Sequence, residues 1–170
     1  MDIVVDIDGT LADIVHRRHY VASKPKNWKA FNAAMHLDTL NEDVGWVIRA
    51  LWCQTICYGS PIRLNRVILA SGRGEESRTV TETWLKDNKI WPEITDPKWV
   101  YPEYLLFTYH HLYMRPKDDS RPDVIVKREI LDQMRADGFD PMMAFDDRNS
   151  VCAMWREAGL RCMQVNEGNF

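Results

Sequence analysis

The sequence predicts an α/β fold with an open parallel sheet and helices on both faces of that sheet. Short apolar runs, which are typical of buried strands, alternate with stretches whose apolar residues recur at helical spacing. Strands that alternate with helices are usually parallel, because each crossover helix returns the chain to the same edge of the sheet. The predicted architecture is therefore Rossmann-like, with a small cap or insertion.

Five apolar runs are predicted to form the strands. The first covers residues 3–5, a β-branched run that ends abruptly at Asp6. The other four runs cover residues 66–70, 112–114, 142–145 and 161–165.

Four apolar stripes at helical spacing are predicted to form the main helices. Asn41 is a plausible N-cap of the first helix, and Gly138 and Gly159 are expected to end the last two. The tryptophans and methionines of these stripes are interpreted as core residues and not as a cofactor site. The stripes comprise Val44, Val47, Ile48, Leu51 and Trp52; Val80, Trp84 and Leu85; Val126, Ile130, Leu131 and Met134; and Val151, Met154, Trp155 and Ala158.

Length and composition predict a single domain over residues 1–170. A hydrophobic content of 45% with seven tryptophans is enough for a substantial core. The formal net charge of −3 argues against a protein whose whole surface coats nucleic acid, but it leaves room for a local basic patch.

The cysteines and the apolar runs predict a soluble, cytoplasmic protein. Cys53, Cys57, Cys152 and Cys162 show no familiar zinc spacing, so we interpret them as reduced core thiols. No signal-like segment precedes the first strand, and no apolar run approaches the roughly 20 residues that span a bilayer. We therefore expect no membrane partner.

Two connections are longer than a simple crossover requires. Residues within 12–65, with helical stretches at 28–35 and 41–57, are predicted to form a cap or lid over the site. Residues 90–111 form a second, irregular insertion with prolines among aromatic residues. Ordinary packing is the alternative for both, and the pair His110-His111 within the second is more often structural than metal-binding.

Polar clusters are predicted to converge at one edge of the sheet. In parallel α/β sheets, ligands bind beyond the carboxyl ends of the strands. Asp6 and Asp8 follow the first strand, residues 71–73 follow the second and residues 146–148 follow the fourth, while Lys127 lies in the first turns of a helix. Each cluster has a simpler interpretation: a helix N-cap, a turn or a solvated lysine. Their shared position at strand ends favours a common site.

Carboxylates paired in this way suit metal-assisted phosphoryl transfer. Asp6, held by the strand end, is the candidate nucleophile that would form an aspartyl-phosphate. Asp8 is the candidate general acid and base, since it lies two residues further on the same side of the chain. Repulsion from Asp6 would raise the pKa of Asp8 unless a metal cancels it.

The same cluster predicts a Mg²⁺ cofactor, because Mg²⁺ prefers carboxylate oxygens and substrate phosphate. Asp6 and Asp146 are the primary candidate ligands, with Asp147 bound directly or through water, and the backbone carbonyl of Asp8 is an additional ligand.

Groups around the transferred phosphate can also be assigned. Ser71 can donate its hydroxyl, Gly72 its backbone N–H and Lys127 a positive charge. Gly9 permits the turn after the strand, and the Thr10 hydroxyl is expected to tie that turn together.

Four motifs, DIDGTLAD (6–13), LASGR (69–73), VKREIL (126–131) and AFDDRNSV (144–151), resemble those of the haloacid dehalogenase-like superfamily. The second acid of the first motif, Asp8 here, is similar to that of the phosphatase branch. The resemblance implies a HAD-like fold, Asp6 as nucleophile and Asp8 as general acid and base. It further implies phosphate contacts from Ser71 and Lys127, and Mg²⁺ at Asp146 and Asp147.

A closer resemblance is to the 3′-phosphatase domain of bacteriophage polynucleotide kinase–phosphatases, carried by residues 145–170 and 114–127. It implies that Arg17 and Arg73 bind substrate. Thr10 and Gly72, from the groups assigned above, are further candidate substrate-binding residues. The resemblance also implies a repair enzyme that acts on nucleic-acid ends. These 170 residues contain no GxxxxGK[ST] loop, so we expect no kinase half.

Three functions remain open from the sequence. The first is a phosphomonoesterase that acts on 3′-phosphates of nucleic-acid ends, whose flanking phosphates would contact residues 16–19, Lys24 and Lys26. A solvated helix face is the alternative for that basic stretch. The second is a (deoxy)nucleotidase or small-metabolite phosphatase, which the negative net charge favours. The third is a binding module without catalysis.

Overall fold

The structure is a computed structural model that describes residues 1–57, 65–91 and 111–168, without the side chains of residues 52–57. Several predictions from the sequence lie outside this part of the chain. They concern most of the insertion 90–111 and the end of the cap region 12–65, together with the side chains of Trp52, Cys53, Cys57 and His110.

The described strands form one five-stranded sheet and one two-stranded sheet. In the larger sheet the order is β5-β4-β1-β6-β7, and every neighbouring pair is parallel. This confirms the predicted α/β class and all five predicted strands. The strands are β1 (Asp2–Val5), β2 (Ala12–Asp13), β3 (Thr39–Leu40), β4 (Arg66–Gly74), β5 (His111–Arg115), β6 (Pro141–Arg148) and β7 (Arg161–Gly168).

Strand β1 lies at the centre of the sheet, and its side chains alternate between two hydrophobic cores. Ile3 and Val5 belong to one core, whereas Val4 belongs to the other, and all three are fully buried. A strand that is covered on both faces reads as a continuous apolar run, which is why this segment is β-branched throughout.

Helices cover both faces of the sheet, as predicted. Ile48 and Leu85, from α3 and α4, pack on the face of Ile3 and Val5, while α5 and α6 pack on the face of Val4. The described helices are α1 (Val15–Arg18), α2 (Trp28–Ala33), α3 (Glu42–Cys57), α4 (Arg78–Asp87), α5 (Asp123–Ala136) and α6 (Asn149–Glu157), with 3-10 turns at Met35–Leu37 and Glu75–Ser77.

Three strands, β4, β6 and β7, run three or four residues further than the sequence predicts. Strand β4 continues through Gly74 and β6 through Arg148, so the polar clusters at 71–73 and 146–148 lie within the ends of the strands and not after them. Within these clusters the register shifts. Strand β4 then pairs again with β5, between Gly74 and Arg115, and β6 pairs again with β7, between Arg148 and Gly168. Such bulges re-aim side chains at a sheet edge, which a pattern of apolar residues does not reveal.

The chain between β1 and α3 forms an excursion that returns to its starting point. Strands β2 and β3 pair antiparallel at its base, and the Asn41 side chain donates a hydrogen bond to the Thr10 carbonyl over 2.8 Å. The helix predicted over 28–35 is shorter than expected, because α2 ends at Ala33 and a 3-10 turn follows.

Two expectations from composition can be compared with the described residues. Cys152 and Cys162 are free and buried, in agreement with reduced core thiols. Within residues 1–57, 65–91 and 111–168, no helix has both the length and the apolar character that crossing a membrane needs.

The position of β4 inside the sheet, between β1 and β5, gives a first prediction. Leu69 is fully buried between Val5 and Leu112, its partners on the two neighbouring strands. We expect Leu69→Ala to lower the free energy of unfolding by about 2–5 kcal/mol, because burial is reduced and a cavity remains. Urea denaturation measures the change. Met142→Ala, at a side chain that is 57% exposed, is the control and should cost far less; equal losses would contradict the assigned core.

Candidate active site

A tight turn after β1 carries the first two site residues. The Asp6 N–H donates to the Phe145 carbonyl over 3.0 Å, which extends the pairing of β1 with β6 by one residue. Gly9 has a φ of +91°, and a Cβ at that position would overlap the Asp147 carboxylate. Glycine is therefore required both for the backbone conformation and for the close approach of Asp147.

The Thr10 hydroxyl does not tie this turn together, contrary to the prediction. Its oxygen is buried and has no hydrogen-bond partner among the described residues. Backbone bonds close the turn instead: the Ala12 N–H donates to the Ile7 carbonyl over 2.7 Å, and the Gly9 N–H to the Ala12 carbonyl over 2.9 Å. The hydroxyl is thus left available beside the site.

The structure brings together three of the predicted carboxylates. Asp6, Asp146 and Asp147 are buried, and each offers an oxygen within 4.8 Å of the others. Lys127, also buried, donates to Asp6 Oδ1 over 2.7 Å and to Asp146 Oδ2 over 2.8 Å. Residues from the turn after β1, the end of β6 and the first turns of α5 therefore meet in one place.

The three carboxylates carry more negative charge than Lys127 can balance. Burial, followed by repulsion from Asp146 and Asp147, raises the pKa of Asp6 well above its usual value, although Lys127 opposes this. Burial and repulsion from Asp146 likewise raise the pKa of Asp147 to about 6. Burial alone would lower the pKa of Lys127, but Asp146 and Asp6 outweigh it and raise that pKa well above its usual value.

Asp146 is fixed by further contacts. The Trp155 indole N–H donates to its Oδ2 over 3.0 Å, and the Arg148 backbone N–H donates to its Oδ1 over 3.1 Å. The alternative of a helix N-cap is not what the structure shows, because Arg148 occupies the N-cap position of α6 without a side-chain capping bond.

A second cluster surrounds Asp8. Arg17 and Arg73 each donate a guanidinium N–H to Asp8 Oδ1, over 2.7 and 2.6 Å. The same two guanidinium groups also donate to Asp38 Oδ2, over 2.6 and 2.7 Å. The predicted substrate-binding arginines are thus side by side, and both are essentially inaccessible to solvent.

Arg17 and Arg73 determine the direction in which the pKa of Asp8 is shifted. Burial acts to raise the pKa of Asp8, but Arg73 and Arg17 outweigh it, so the pKa lies below its usual value. Repulsion from Asp6 was expected to raise this pKa, but the structure shows the opposite direction because two cations contact the carboxylate.

Asp38 is a member of the site that was not predicted from the sequence. Its side chain is fully buried and accepts hydrogen bonds from Arg17, Arg73 and His16, while its carbonyl accepts the Trp84 indole N–H over 2.7 Å. One signal was present in the sequence: Asp38 is the only acidic residue between Asp13 and Glu42.

The remaining predicted residues line the same edge. Ser71 is fully buried, and its hydroxyl oxygen accepts the Arg73 N–H over 3.1 Å. The Asp123 carboxylate lies directly against Gly72, since a Cβ there would come within 2.5 Å of its Oδ1. Arg115 donates to both the Gly72 carbonyl, over 2.8 Å, and Asp123, over 2.9 Å. The Asp123 carboxylate therefore packs against the Cα of Gly72, and Arg115 fixes the carbonyl of that glycine.

The carboxylate set fits a divalent cation of the Mg²⁺ type. Its donors are hard oxygens and they converge, and repulsion among the carboxylates adds to the effect of burial in raising the pKa values of Asp6 and Asp147. The side chain of Asp8 is bound by Arg17 and Arg73, which with Asp38 form what we call the arginine cluster. Only the backbone carbonyl of Asp8 is therefore left as a candidate metal ligand, and its role as a ligand stays a prediction.

Comparison with known proteins identifies relatives of the whole chain. The family model described as the polynucleotide kinase PNKP phosphatase domain matches residues 1–170. A chain in the solved structure of the Pnkp1/Rnl/Hen1 RNA repair complex is 29% identical, with a TM-score of 0.69 over 99% of this chain. A chain in a second structure of the Pnkp1/Rnl/Hen1 complex is 29% identical, with a TM-score of 0.68 over 99% of this chain.

The present chain spans less than half the length of those two solved chains. It covers 43% of the first and 46% of the second.

The buried position of Asp38 generates a prediction on stability. We expect Asp38→Asn to lower the free energy of unfolding by about 3–5 kcal/mol, because two buried guanidinium groups are left with one carboxylate partner in place of two. Urea denaturation measures the decrease. Asp87→Asn, at an exposed position, is the matched control and should change stability by less than about 0.5 kcal/mol. An Asp38→Asn variant as stable as the control would show that the arginines do not depend on Asp38.

Proposed function

Because the chain belongs to the polynucleotide kinase PNKP phosphatase-domain family, and is therefore a phosphatase, we propose a specific activity for it. It is a Mg²⁺-dependent phosphomonoesterase that removes 3′-phosphates from nucleic-acid ends through an aspartyl-phosphate. The observation that carries the proposal is the placement of Asp6 at the end of β1, against Lys127 and beside Asp146 and Asp147.

Asp6 is the nucleophile in this proposal. Its carboxylate oxygen attacks phosphorus, the bond from phosphorus to the ester oxygen breaks, and the leaving oxygen takes a proton from Asp8. A water molecule then attacks phosphorus and gives a proton to Asp8. This attack breaks the bond from phosphorus to Asp6. The products are inorganic phosphate, a free hydroxyl end and the original carboxylate.

The arginine cluster supports the role of Asp8 as acid and base. Arg17 and Arg73 donate to Asp8, and a phosphate oxygen would compete for the same donors. When the guanidinium groups turn towards phosphate, their hydrogen bonds to Asp8 are broken. The phosphate charge also offsets their coulombic effect, which is the larger of their two contributions, whereas burial continues to raise the pKa of Asp8. Substrate binding thereby favours the protonated form that the first step requires.

Three further groups stabilise the phosphoryl group as charge develops on it. Lys127 places a fixed cation beside Asp6, and Ser71 lies next along the same edge with a hydroxyl that can donate. The unpartnered, buried Thr10 hydroxyl is a third donor. Each is held by the fold before substrate arrives, which is what electrostatic preorganisation requires.

The cofactor belongs to the acidic cluster. Asp6, Asp146 and Asp147, with the Asp8 carbonyl, would hold Mg²⁺, which when bound neutralises phosphate charge and orients the phosphoryl group. The residues themselves exclude bulk water, because the three carboxylates are buried.

Nucleic-acid ends are the proposed substrate on two grounds. The family is that of polynucleotide kinase phosphatase domains, and one of the two similar solved chains comes from a complex that is named as an RNA repair complex. The net charge of −3 keeps a (deoxy)nucleotidase or small-metabolite phosphatase as the second candidate.

The role of Asp6 predicts the effect of its substitution. We expect Asp6→Asn to abolish phosphate release from a 3′-phosphorylated oligonucleotide in the presence of Mg²⁺, because an amide cannot form the covalent intermediate. Malachite-green detection of phosphate provides the measurement, and circular dichroism checks the fold. Asp132→Asn, an exposed substitution on α5, should retain full activity. Continued turnover by Asp6→Asn would dismiss Asp6 as the nucleophile.

The substrate class predicts a dependence on salt. A polynucleotide that contacts several cationic side chains releases counterions, so log(kcat/KM) for a 3′-phosphorylated octanucleotide should fall with log[salt] at about −0.7 per phosphate contact. A nucleoside 3′-phosphate should show a clearly shallower slope. Faster hydrolysis of mononucleotides or sugar phosphates than of the octanucleotide at all salt concentrations would favour the second candidate instead.

A further inference from the structure

We propose that the basic cap segment, defined as residues 14–37, binds the single strand that leads to the scissile phosphate, with one base stacked on Trp28. The phosphates of that strand then lie beside Lys26 and Lys29. This inference rests on the proposed function and deepens it, because it names an unpaired oligonucleotide end as the substrate.

The charge of the basic cap segment sets it apart from the rest of the chain. It contains no aspartate or glutamate, whereas the whole protein has a formal net charge of −3. Its lysines are exposed and therefore available to a polyanion. Its cationic residues are Arg17, Arg18, Lys24, Lys26 and Lys29, and its histidines are His16, His19 and His36.

Both ends of the segment are attached to the candidate active site. Near its start, Arg17 contacts Asp8; immediately after its end, Asp38 accepts the Arg17 Nε–H over 2.6 Å. The pairing of β2 with β3 closes the same excursion at its base. The segment therefore starts and finishes at the arginine cluster, where the phosphate end of a substrate would lie.

Trp28 has the features of a stacking platform for a base. Its side chain is 52% exposed, although it lies in a structured part of the chain. Its ring packs edge-on against Phe31 at 5.7 Å between centroids, and Lys26 Nζ lies 5.3 Å from its centroid. An exposed indole that is held in place and accompanied by a cation is what single-strand binding surfaces use.

A chain of direct contacts joins Trp28 to the site. Trp28 packs on Phe31, the Phe31 ring lies 4.1 Å from the Arg17 guanidinium carbon, and Arg17 donates to Asp8. Arg17 and Phe31 are buried, so Trp28 is the exposed end of this chain of contacts, and a strand whose end reaches Asp8 would pass it by following the surface of the segment. The exposed aromatic ring and the lysines then serve the nucleotides that precede the terminal one.

A second exposed tryptophan provides a comparison within the same protein. Trp46, on α3, is 68% exposed, but it follows Glu42 and Asp43 by one helical turn. Arg49 pairs with Glu42 over 3.3 Å, which leaves one net negative charge among these three side chains to repel a phosphate backbone. Exposure alone would select both tryptophans, whereas charge selects only Trp28.

The test measures binding without turnover. Fluorescence anisotropy with a labelled octanucleotide that ends in a 3′-hydroxyl should show roughly 5- to 100-fold weaker binding for Trp28→Ala than for the wild type. Lys26→Gln with Lys29→Gln should weaken binding and make the salt slope shallower by about 0.7 for each phosphate that the variant no longer neutralises. Trp46→Ala and Lys86→Gln are the matched controls and should bind like the wild type.

Kinetics on two substrates complete the test. Trp28→Ala should raise KM for the 3′-phosphorylated octanucleotide and leave kcat, and all constants for a nucleoside 3′-phosphate, unchanged. Octanucleotide binding by Trp28→Ala equal to that of the wild type, or equal weakening with Trp46→Ala, would overturn the inference. Failure of the phosphatase proposal is distinguishable, since the wild type would then bind the octanucleotide but release no phosphate from its 3′-phosphorylated form.

Discussion

The ammonium group of Lys127, buried between Asp6 and Asp146, is the interaction on which the rest of the site depends. Lys127 contacts both Asp6 and Asp146, and without it these two buried carboxylates would repel each other with no ammonium group to balance them. The lysine comes from the first turns of α5, so the packing of that helix on the sheet fixes where the ammonium group lies between the acids, whose own spacing is set by the pairing of β1 with β6. Trp155, from α6, fixes the orientation of Asp146. The packing of these two helices in the core therefore helps to determine the geometry of the site.

A second buried network connects the cap to the core. Arg17 belongs to the excursion between β1 and α3, Arg73 belongs to β4, and both share Asp8 and Asp38 as partners. The cap is therefore held at its base by charge pairs as well as by the pairing of β2 with β3. Because the same guanidinium groups are candidates for phosphate binding, substrate would replace carboxylate oxygens with phosphate oxygens at the point where cap and core meet.

The sequence predicted most of the fold and the members of the acidic cluster, because both follow from simple periodicities. A buried parallel strand is a continuous apolar run, and carboxylates at its end are too costly to be accidental. Asp38 was missed because its neighbours in the sequence carry no chemical pattern; its importance arises only when Arg17 and Arg73 fold against it. The Thr10 hydroxyl and the bulges in β4 and β6 depend on local backbone geometry, which residue type alone does not determine.

The central claim is that Asp6 is the covalent nucleophile, and trapping the phosphorylated protein tests it most directly. In Asp8→Asn, 4-nitrophenyl phosphate supplies a leaving group that needs no proton, whereas hydrolysis of the intermediate still needs a base. Rapid mixing with Mg²⁺, acid quench and peptide mapping should then reveal a burst of 4-nitrophenolate equal to the enzyme concentration and a phosphoryl group on Asp6. Turnover with no label on Asp6, or a label on another residue, would contradict the account.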